Sequence, residues 1–137
     1  MKILLVGGTG LIGSFLKNKL IEEGYSVNIL SRRKSKDSQT FLWNNEEEYI
    51  DIAAFKGVSG IINLTGANIA EGRWTEKRKE ILYNSRILST RLLFETIKKN
   101  KVALDFFINS SATGYYGTKK SAKILKEDNV SGVDFLA

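Results

Sequence analysis

A glycine-rich turn near the start of the chain is the feature that most constrains its fold. Residues 7–13 read GGTGLIG, with glycines at G-x-x-G-x-x-G spacing, between the apolar run KILLV and a segment of helical apolar periodicity. Such a turn lets the backbone approach a pyrophosphate while free N–H groups at the helix start point at the anion. We therefore predict a dinucleotide site, and an ordinary β-α turn is the alternative. The predicted cofactor contacts here are Gly7, Thr9, Gly10, Leu11, Ile12 and Gly13.

Predicted strands and helices alternate along the rest of the chain. Strands are predicted at KILLV, YSVNIL, TFLW, GIINLT and DFFINSS, and helices from Leu11 to a cap at Gly24 and from about Thr75 to Asn100. The segment NNEEEYIDIAAF is predicted to be a turn leading into a weak helix. This order predicts an α/β fold, a Rossmann-type doubly wound parallel sheet. Ligands of such sheets bind at the carboxyl ends of the strands, where GGTGLIG, SRR, LTGAN and SSATGYYG all fall.

The end of the second predicted strand indicates which cofactor is preferred. NAD enzymes often place an acidic residue there for the ribose 2′-hydroxyl, but this chain has Ser31, Arg32 and Arg33. A guanidinium pairs with a 2′-phosphate by charge-assisted hydrogen bonds, whereas a carboxylate repels it. The sequence therefore favours NADP over NAD, and two solvated arginines in a loop are the alternative.

Composition excludes several kinds of chemistry. The 137 residues contain no cysteine and no histidine, which removes disulfides, thiolate nucleophiles, zinc sites and histidine bases, and we predict no metal site. The net charge of +6 is scattered and partly interleaved with Glu, so we expect no nucleic-acid partner. The apolar runs are too short to span a bilayer, and no signal peptide is evident, so we expect a cytoplasmic protein without a membrane partner.

Several motifs together carry a family resemblance. GGTGLIG, INLTGANIAEGRWT, NSRILSTRLL, SSATGYYG and DFLA occur in this order. With them the chain resembles the atypical extended short-chain dehydrogenases/reductases, and within them the NAD(P)-dependent epimerases labelled sugar-nucleotide epimerase or cell-division inhibitor. The resemblance implies that residues 1–137 are a dinucleotide-binding domain. It also implies a protein about twice as long, truncated here before a C-terminal substrate domain.

The resemblance also implies roles for particular residues. Ser111 matches the serine that lies near the nicotinamide and is the candidate catalytic residue. Arg73 and Trp74 follow the fourth strand where substrate approaches, although a core-covering Trp74 is the alternative. Arg86 stands where many members have Asn and is either an anion contact or a surface residue. Further cofactor contacts are implied at Leu64, Thr65 and Gly66.

The pair Tyr115 and Lys119 has Y-x-x-x-K spacing but matches a loop Tyr-Gly of the family and not its catalytic tyrosine. That tyrosine is expected near residues 135–137, where none stands, so whether the protein is an enzyme stays open. The leading hypothesis is a nicotinamide-dependent epimerase or oxidoreductase acting on a nucleotide-linked sugar. The alternatives are a non-catalytic NADP sensor and a nucleic-acid-binding protein. The helix that begins near Thr75 is a candidate homodimer surface.

Overall fold

The computed structural model describes residues 1–117, 124–135 and 137. These residues form six strands, two α-helices and two 3₁₀ turns. The strands are β1 (Lys2–Val6), β2 (Ser26–Ser31), β3 (Thr40–Asn44), β4 (Tyr49–Ile50), β5 (Gly60–Asn63) and β6 (Phe106–Asn109). The helices are α1 (Leu11–Glu22) and α2 (Glu76–Lys99), and the 3₁₀ turns span Ile52–Phe55 and Thr113–Tyr116.

The six strands form one sheet in the order β4-β3-β2-β1-β5-β6. Strand β1 lies between β2 and β5 and pairs with both in parallel, with Val6 opposite Leu30 on one side and Asn63 on the other. Strands β3 and β6 extend the parallel sheet at its two sides, and only β4 is antiparallel. The predicted Rossmann-type fold is confirmed, and the carboxyl ends of β1, β2 and β5 meet at one edge.

Each face of the sheet carries a hydrophobic cluster, because parallel strands are normally covered by helices on both faces. On one face, Leu4 and Val6 pack in a cluster with the fully buried Leu93 of α2. On the other face, Leu5 belongs to a cluster against which Leu16 of α1 packs. The alternation of side chains along β1 thus fixes one helix to each face.

Gly24 belongs to the C-terminal cap of α1, as the sequence predicted. This glycine has φ of 83°, and its N–H donates to the carbonyl of Ile21 while that of Tyr25 donates to Leu20. These two bonds form a Schellman motif, in which glycine is favoured at the left-handed position. Five apolar residues recur at helical spacing along α1; Leu16 and Leu20 pack on the sheet, whereas Leu11, Ile12 and Phe15 are exposed.

Helix α2 begins as predicted at Thr75, whose hydroxyl accepts a hydrogen bond from the N–H of Arg78 (3.2 Å). Apolar residues recur along α2 at helical spacing and form a stripe, and the members of this stripe divide between the core and the surface. Leu82 and Leu93 are buried, Leu92 and Ile97 pack against the core, and Ile81 and Leu88 are exposed. A helix of this length presents several faces, and the sheet covers only one of them.

The prediction for residues 44–55 was wrong in part. The chain turns back after β3, so that Trp43 pairs with Ile50 of the short antiparallel β4. Asp51 then caps the 3₁₀ turn by accepting the N–H of Ala53 (3.0 Å). Because Trp43, Ile50 and Phe55 are all buried, tertiary packing selects a hairpin and a single tight turn over the expected helix. No helix within the described ranges is long and apolar enough to cross a bilayer.

Candidate functional site

A groove of about 1260 Å³ lies at the carboxyl edge of the sheet. It joins the glycine-rich turn after β1, the loop after β2 and the loop after β5, as expected for a sheet of this topology. Of the residues predicted to contact a cofactor, nine line this groove: Gly7, Thr9, Gly10, Ser31, Arg32, Arg33, Leu64, Thr65 and Gly66. Its other contributors include Ser14, Lys17, Lys34, Asp37, Asn45, Ser85 and Ser89.

Glycine is required in the turn after β1 for two different reasons. Gly7 has φ of 83°, and a methyl group there would lie 3.1 Å from the carbonyl of Leu64. At Gly13 a Cβ would lie only 2.3 Å from the carbonyl oxygen of Gly7 and 2.7 Å from the Cα of Gly8. The last glycine therefore lets α1 pack tightly against the turn, a role that is structural within this chain.

The N-terminus of α1 is open to the groove. Gly10 is its N-cap, and no side chain of the described residues caps it, nor does an acidic residue occupy the first turn. Helix α2 is different, because Thr75 caps it and Glu76 lies in its first turn. Backbone N–H groups and the positive end of the α1 dipole are thus left for an anionic ligand. Leu11 and Ile12 lie in this first turn with exposed side chains, outside the groove lining.

The loop after β2 carries a concentrated positive charge. The hydroxyl of Ser31 donates to the carbonyl of Arg33 (2.9 Å) and accepts the N–H of Arg33 (3.1 Å), which fixes the turn that presents the arginines. Arg32 and Arg33 are exposed and line the groove together with Lys34. This loop therefore presents guanidinium and ammonium groups to the groove.

One carboxylate, Asp37, also lines this part of the groove, and both of its oxygens already accept hydrogen bonds. It accepts the N–H of Gln39 (3.0 Å) and pairs with the ammonium of Lys17 (3.3 Å) on α1. The Gln39 N–H and then Lys17 lower the pKa of Asp37 below its ordinary value. The carboxylate therefore serves to tie the loop to α1 as well as to line the groove.

The carboxyl end of β5 is fixed by a buried amide. Asn63 is only 2% exposed, and its NH₂ group donates to Thr90 of α2 (3.1 Å) and to Asn109 of β6 (2.7 Å). Its carbonyl oxygen accepts both the N–H (3.2 Å) and the hydroxyl (2.7 Å) of Thr65. All four hydrogen-bonding positions of this amide are used, so that β5, β6 and α2 hold Thr65 in one place.

The loop between β5 and α2 contains the predicted substrate residues. Arg73 and Trp74 lie outside the groove lining, and the indole N–H of Trp74 donates to the carbonyl of Ile69 (2.8 Å). The Trp74 ring packs edge-to-face on Phe135, with 5.8 Å between centroids, and is 39% exposed. Both the N–H and the ring of Trp74 are thus bound to other parts of the protein, while more than a third of the residue stays exposed to solvent.

Ser111 lies beyond β6 in a separate small pocket of about 290 Å³, which Thr113, Tyr115 and Tyr116 also line. The 3₁₀ turn that carries the two tyrosines ends before Gly117, so Tyr115 does not stand in an α-helix. Lys119, the other half of the apparent Y-x-x-x-K pair, falls outside the described residues. Phe135, near the position where a catalytic tyrosine was expected, packs on Trp74 instead.

Several groove residues were not predicted from the sequence. Lys17, Ser85 and Ser89 project from helices, and Asn45 comes from the unpredicted hairpin. The serines interrupt the apolar stripe of α2, and the buried Ser89 accepts a hydrogen bond from Asn45 (2.5 Å). The two serines within an apolar helical stripe were the sequence feature from which Ser85 and Ser89 could have been predicted as groove residues. Among the described residues, no cluster of acidic side chains fit to hold a metal ion occurs.

The model of the NAD dependent epimerase/dehydratase family matches residues 3–132. An epimerase family protein of Mycobacterium bovis is 36% identical over 135 residues, which cover 98% of this chain and 44% of that protein. The chain thus spans less than half the length of this curated relative.

Solved structures show the same architecture. A crystal structure of the human epimerase family protein SDR39U1 (isoform 2) with NADPH matches with a TM-score of 0.84 and 27% identity, over 99% of this chain and 45% of that one. The nucleoside-diphosphate sugar epimerase of Corynebacterium glutamicum matches with a TM-score of 0.79 and 28% identity, over 99% of this chain and 28% of that one. Because the family model covers residues 3–132, the chain belongs to the NAD dependent epimerase/dehydratase family.

Proposed function

We propose that residues 1–137 are a dinucleotide-binding domain that takes NADP in preference to NAD, and that it serves an epimerase or oxidoreductase acting on a nucleotide-linked sugar. The observation that carries the proposal is the continuous groove from the open N-terminus of α1 to the Arg32–Arg33 turn. The related human protein has been crystallised with NADPH, and the related corynebacterial protein is described as a nucleoside-diphosphate sugar epimerase.

The charges of the groove favour a ligand with an additional phosphate. Four cationic side chains line it in the described part of the chain: Lys17, Arg32, Arg33 and Lys34. The single carboxylate, Asp37, is paired with Lys17 and has a lowered pKa. A 2′-phosphate gains charge-assisted hydrogen bonds from the arginines, whereas a 2′-hydroxyl lacks an acidic partner that is free of other bonds.

The fit to a dinucleotide comes from the backbone. The turn after β1 carries no side chain at Gly7 or Gly10, so a pyrophosphate has room beside the first N–H groups of α1. A bound nicotinamide cofactor would supply hydride transfer. Ser111 is proposed to hydrogen-bond the reacting oxygen, and Arg73 and Trp74 are proposed to contact the substrate.

One observation favours a second candidate function, a non-catalytic dinucleotide sensor. Near the position where the resemblance implies a catalytic tyrosine, Phe135 packs its ring on Trp74 and lies 5.8 Å from the ammonium of Lys79. A phenyl ring cannot transfer a proton. An enzyme would change the absorbance of bound NADPH when offered the oxidised form of its substrate, and a sensor would bind NADPH without turnover.

The test is a calorimetric titration of this chain with 2′,5′-ADP and with 5′-ADP at moderate salt. We expect 2′,5′-ADP to bind at least about tenfold more tightly, a difference of about 1.4 kcal/mol. The double variant Arg32→Gln with Arg33→Gln should abolish that preference. The matched control Arg91→Gln, an exposed arginine on α2, should retain it.

Each result of the titration has a defined meaning. Equal binding of the two nucleotides by the unaltered chain contradicts the NADP preference and leaves the dinucleotide site standing. Binding of neither nucleotide contradicts the proposed site itself.

A further inference from the structure

We infer that Ser85 and Arg86 are positioning residues that hold the loop after β5 as one wall of the nucleotide groove. The inference rests on the proposed function, because the wall is relevant to the ligand placed there. Both backbone groups of Ala67, which lines the groove, are bonded to these neighbouring side chains of α2. Its N–H donates to the hydroxyl of Ser85 (2.8 Å), and its carbonyl accepts from the guanidinium of Arg86 (3.2 Å).

The two side chains share an anchor in the helix. The carbonyl of Leu82 accepts a hydrogen bond from the hydroxyl of Ser85 (2.9 Å) and another from Arg86 (3.0 Å). Ser85 therefore acts as both donor and acceptor, and Arg86 spans two carbonyls with two different nitrogen atoms. A lysine has the same charge but lacks the planar fork that reaches both oxygens at once.

The guanidinium also packs against the backbone of the loop. A Cβ placed on Gly66 would lie 2.8 Å from Cζ of Arg86 and 2.9 Å from one of its terminal nitrogens. Glycine at position 66 thus leaves the space that the guanidinium fills. Gly66, Thr65 and Leu64 line the groove, so displacement of Arg86 would move the wall that faces the glycine-rich turn.

Arg86 is exposed, as the surface alternative predicted, and its guanidinium in addition bonds the loop after β5. Its guanidinium is outside the groove lining and is bonded to backbone carbonyls, so it acts on a ligand through the loop. Lysine keeps the charge of Arg86 and would retain part of a purely electrostatic contact with an anion. Lysine cannot bond both carbonyls at once, so it would not preserve the hydrogen bonds of Ser85 and Arg86 to Ala67 and Leu82, which we call the clamp.

The first experiment measures the clamp without any ligand. Amide hydrogen exchange of Ala67 is followed by NMR in the unaltered chain and in Ser85→Ala, Arg86→Met and Arg86→Lys. Loss of one such hydrogen bond is worth about 1 kcal/mol, so exchange should accelerate about fivefold or more in all three variants. The control Arg91→Met, which removes an exposed arginine from the same helix, should leave the rate unchanged. Unchanged exchange in Arg86→Met would overturn the inference.

The second experiment measures binding of 2′,5′-ADP and 5′-ADP by the same variants at matched thermal stability. We expect both nucleotides to bind about tenfold more weakly in Arg86→Met and Arg86→Lys, with the ratio between them unchanged because the Arg32–Arg33 turn is untouched. Normal binding by Arg86→Lys would assign Arg86 a role through its charge and overturn the clamp. If the unaltered chain binds neither nucleotide, the proposed function fails and the exchange experiment alone decides the clamp.

A third arm tests the contact with Gly66. Gly66→Ala should weaken binding of 2′,5′-ADP in the unaltered chain, because its methyl group meets the guanidinium. In the Arg86→Met background the same substitution should have a smaller effect, because only the backbone cost of a side chain at the Gly66 φ of 158° remains. Additive losses in the double variant would show that residues 66 and 86 act separately and would contradict the inference.

Discussion

Alanine at Gly13 should lower the stability of the chain, whereas alanine at Gly10 should weaken nucleotide binding, although the two glycines are only three residues apart. A methyl group at position 13 would lie 2.3 Å from the carbonyl oxygen of Gly7 and 2.7 Å from the Cα of Gly8. Both obstacles are backbone atoms, which cannot rotate away. At position 10 the nearest atom is the same carbonyl oxygen at 3.4 Å, an ordinary contact.

The magnitude at Gly13 is the balance of two effects. Alanine within a helix gains about 0.5–1 kcal/mol relative to glycine. Forcing a methyl group into a packed contact costs about 1–3 kcal/mol, and an obstacle made of backbone places this case at the upper end. Gly13→Ala should therefore destabilise the chain by about 2–2.5 kcal/mol, a fall in Tm of roughly 6–10 °C for a domain of this size.

Gly10→Ala should change binding more than stability. Gly10 is the exposed N-cap of α1 with φ of −79° and ψ of 176°, a conformation that alanine adopts, so the stability loss should stay below about 1 kcal/mol. Its methyl group occupies the groove beside the first helical N–H groups, so 2′,5′-ADP should bind at least about tenfold more weakly.

Urea denaturation and calorimetric titration of both variants separate the two effects. A Gly13→Ala chain as stable as the unaltered one would refute the packing argument. A Gly10→Ala chain that binds the nucleotide normally would refute the placement of the pyrophosphate.

Four further predictions concern other parts of the chain. Lys101 has φ of 50° just after α2, so Lys101→Gly should raise the free energy of unfolding by about 0.5–1 kcal/mol in urea, and a loss would contradict the strain argument. Asn63→Ala removes the partner of several buried polar groups and should cost about 2–3 kcal/mol by the same assay; a loss below about 0.5 kcal/mol would show that the network is dispensable. The pKa of Asp37 is lowered on folding from its ordinary value of 3.8, so its stabilising effect is complete well above that value and is lost as the pH falls through the folded pKa; Asp37→Asn should lower stability at pH 7 by less than about 1 kcal/mol, and the difference should shrink as the pH falls below 3.8. Tyr83 and Phe94 are each 58% exposed on α2, so if this helix forms a homodimer, replacing both by Arg should yield monomers in sedimentation, and an unaltered chain that is already monomeric would contradict the dimer.

The sequence by itself determined the elements that depend on local chemistry. The apolar run before Gly7 and the glycine spacing predicted β1, the turn and α1, because a buried parallel strand and a close backbone approach each need particular residue types. The cap residues Thr75 and Gly24 predicted a helix start and a helix end, because both act on nearby backbone. Thr75 accepts a hydrogen bond from the N–H of Arg78, and Gly24 adopts the positive φ at which the helix ends. Alternation of these elements was enough to predict the Rossmann-type fold.

Only the tertiary structure decided the features that depend on contacts between distant segments. Residues 44–55 form a hairpin and a 3₁₀ turn because Trp43, Ile50 and Phe55 enter one core. Local propensity does not depend on such contacts and therefore could not predict them. The helical periodicity of α2 did not show which residues face the sheet. It also did not show that Ser89 would meet Asn45, 44 positions away.

Arg86 shows the same division most clearly. Its sequence position was compatible with an anion contact or with a surface side chain. The structure places its guanidinium on the carbonyl of Ala67 and against Gly66, because the loop after β5 crosses the first half of α2. A side chain with five donors takes whichever acceptors the fold brings within reach, and only the folded chain determines which those are.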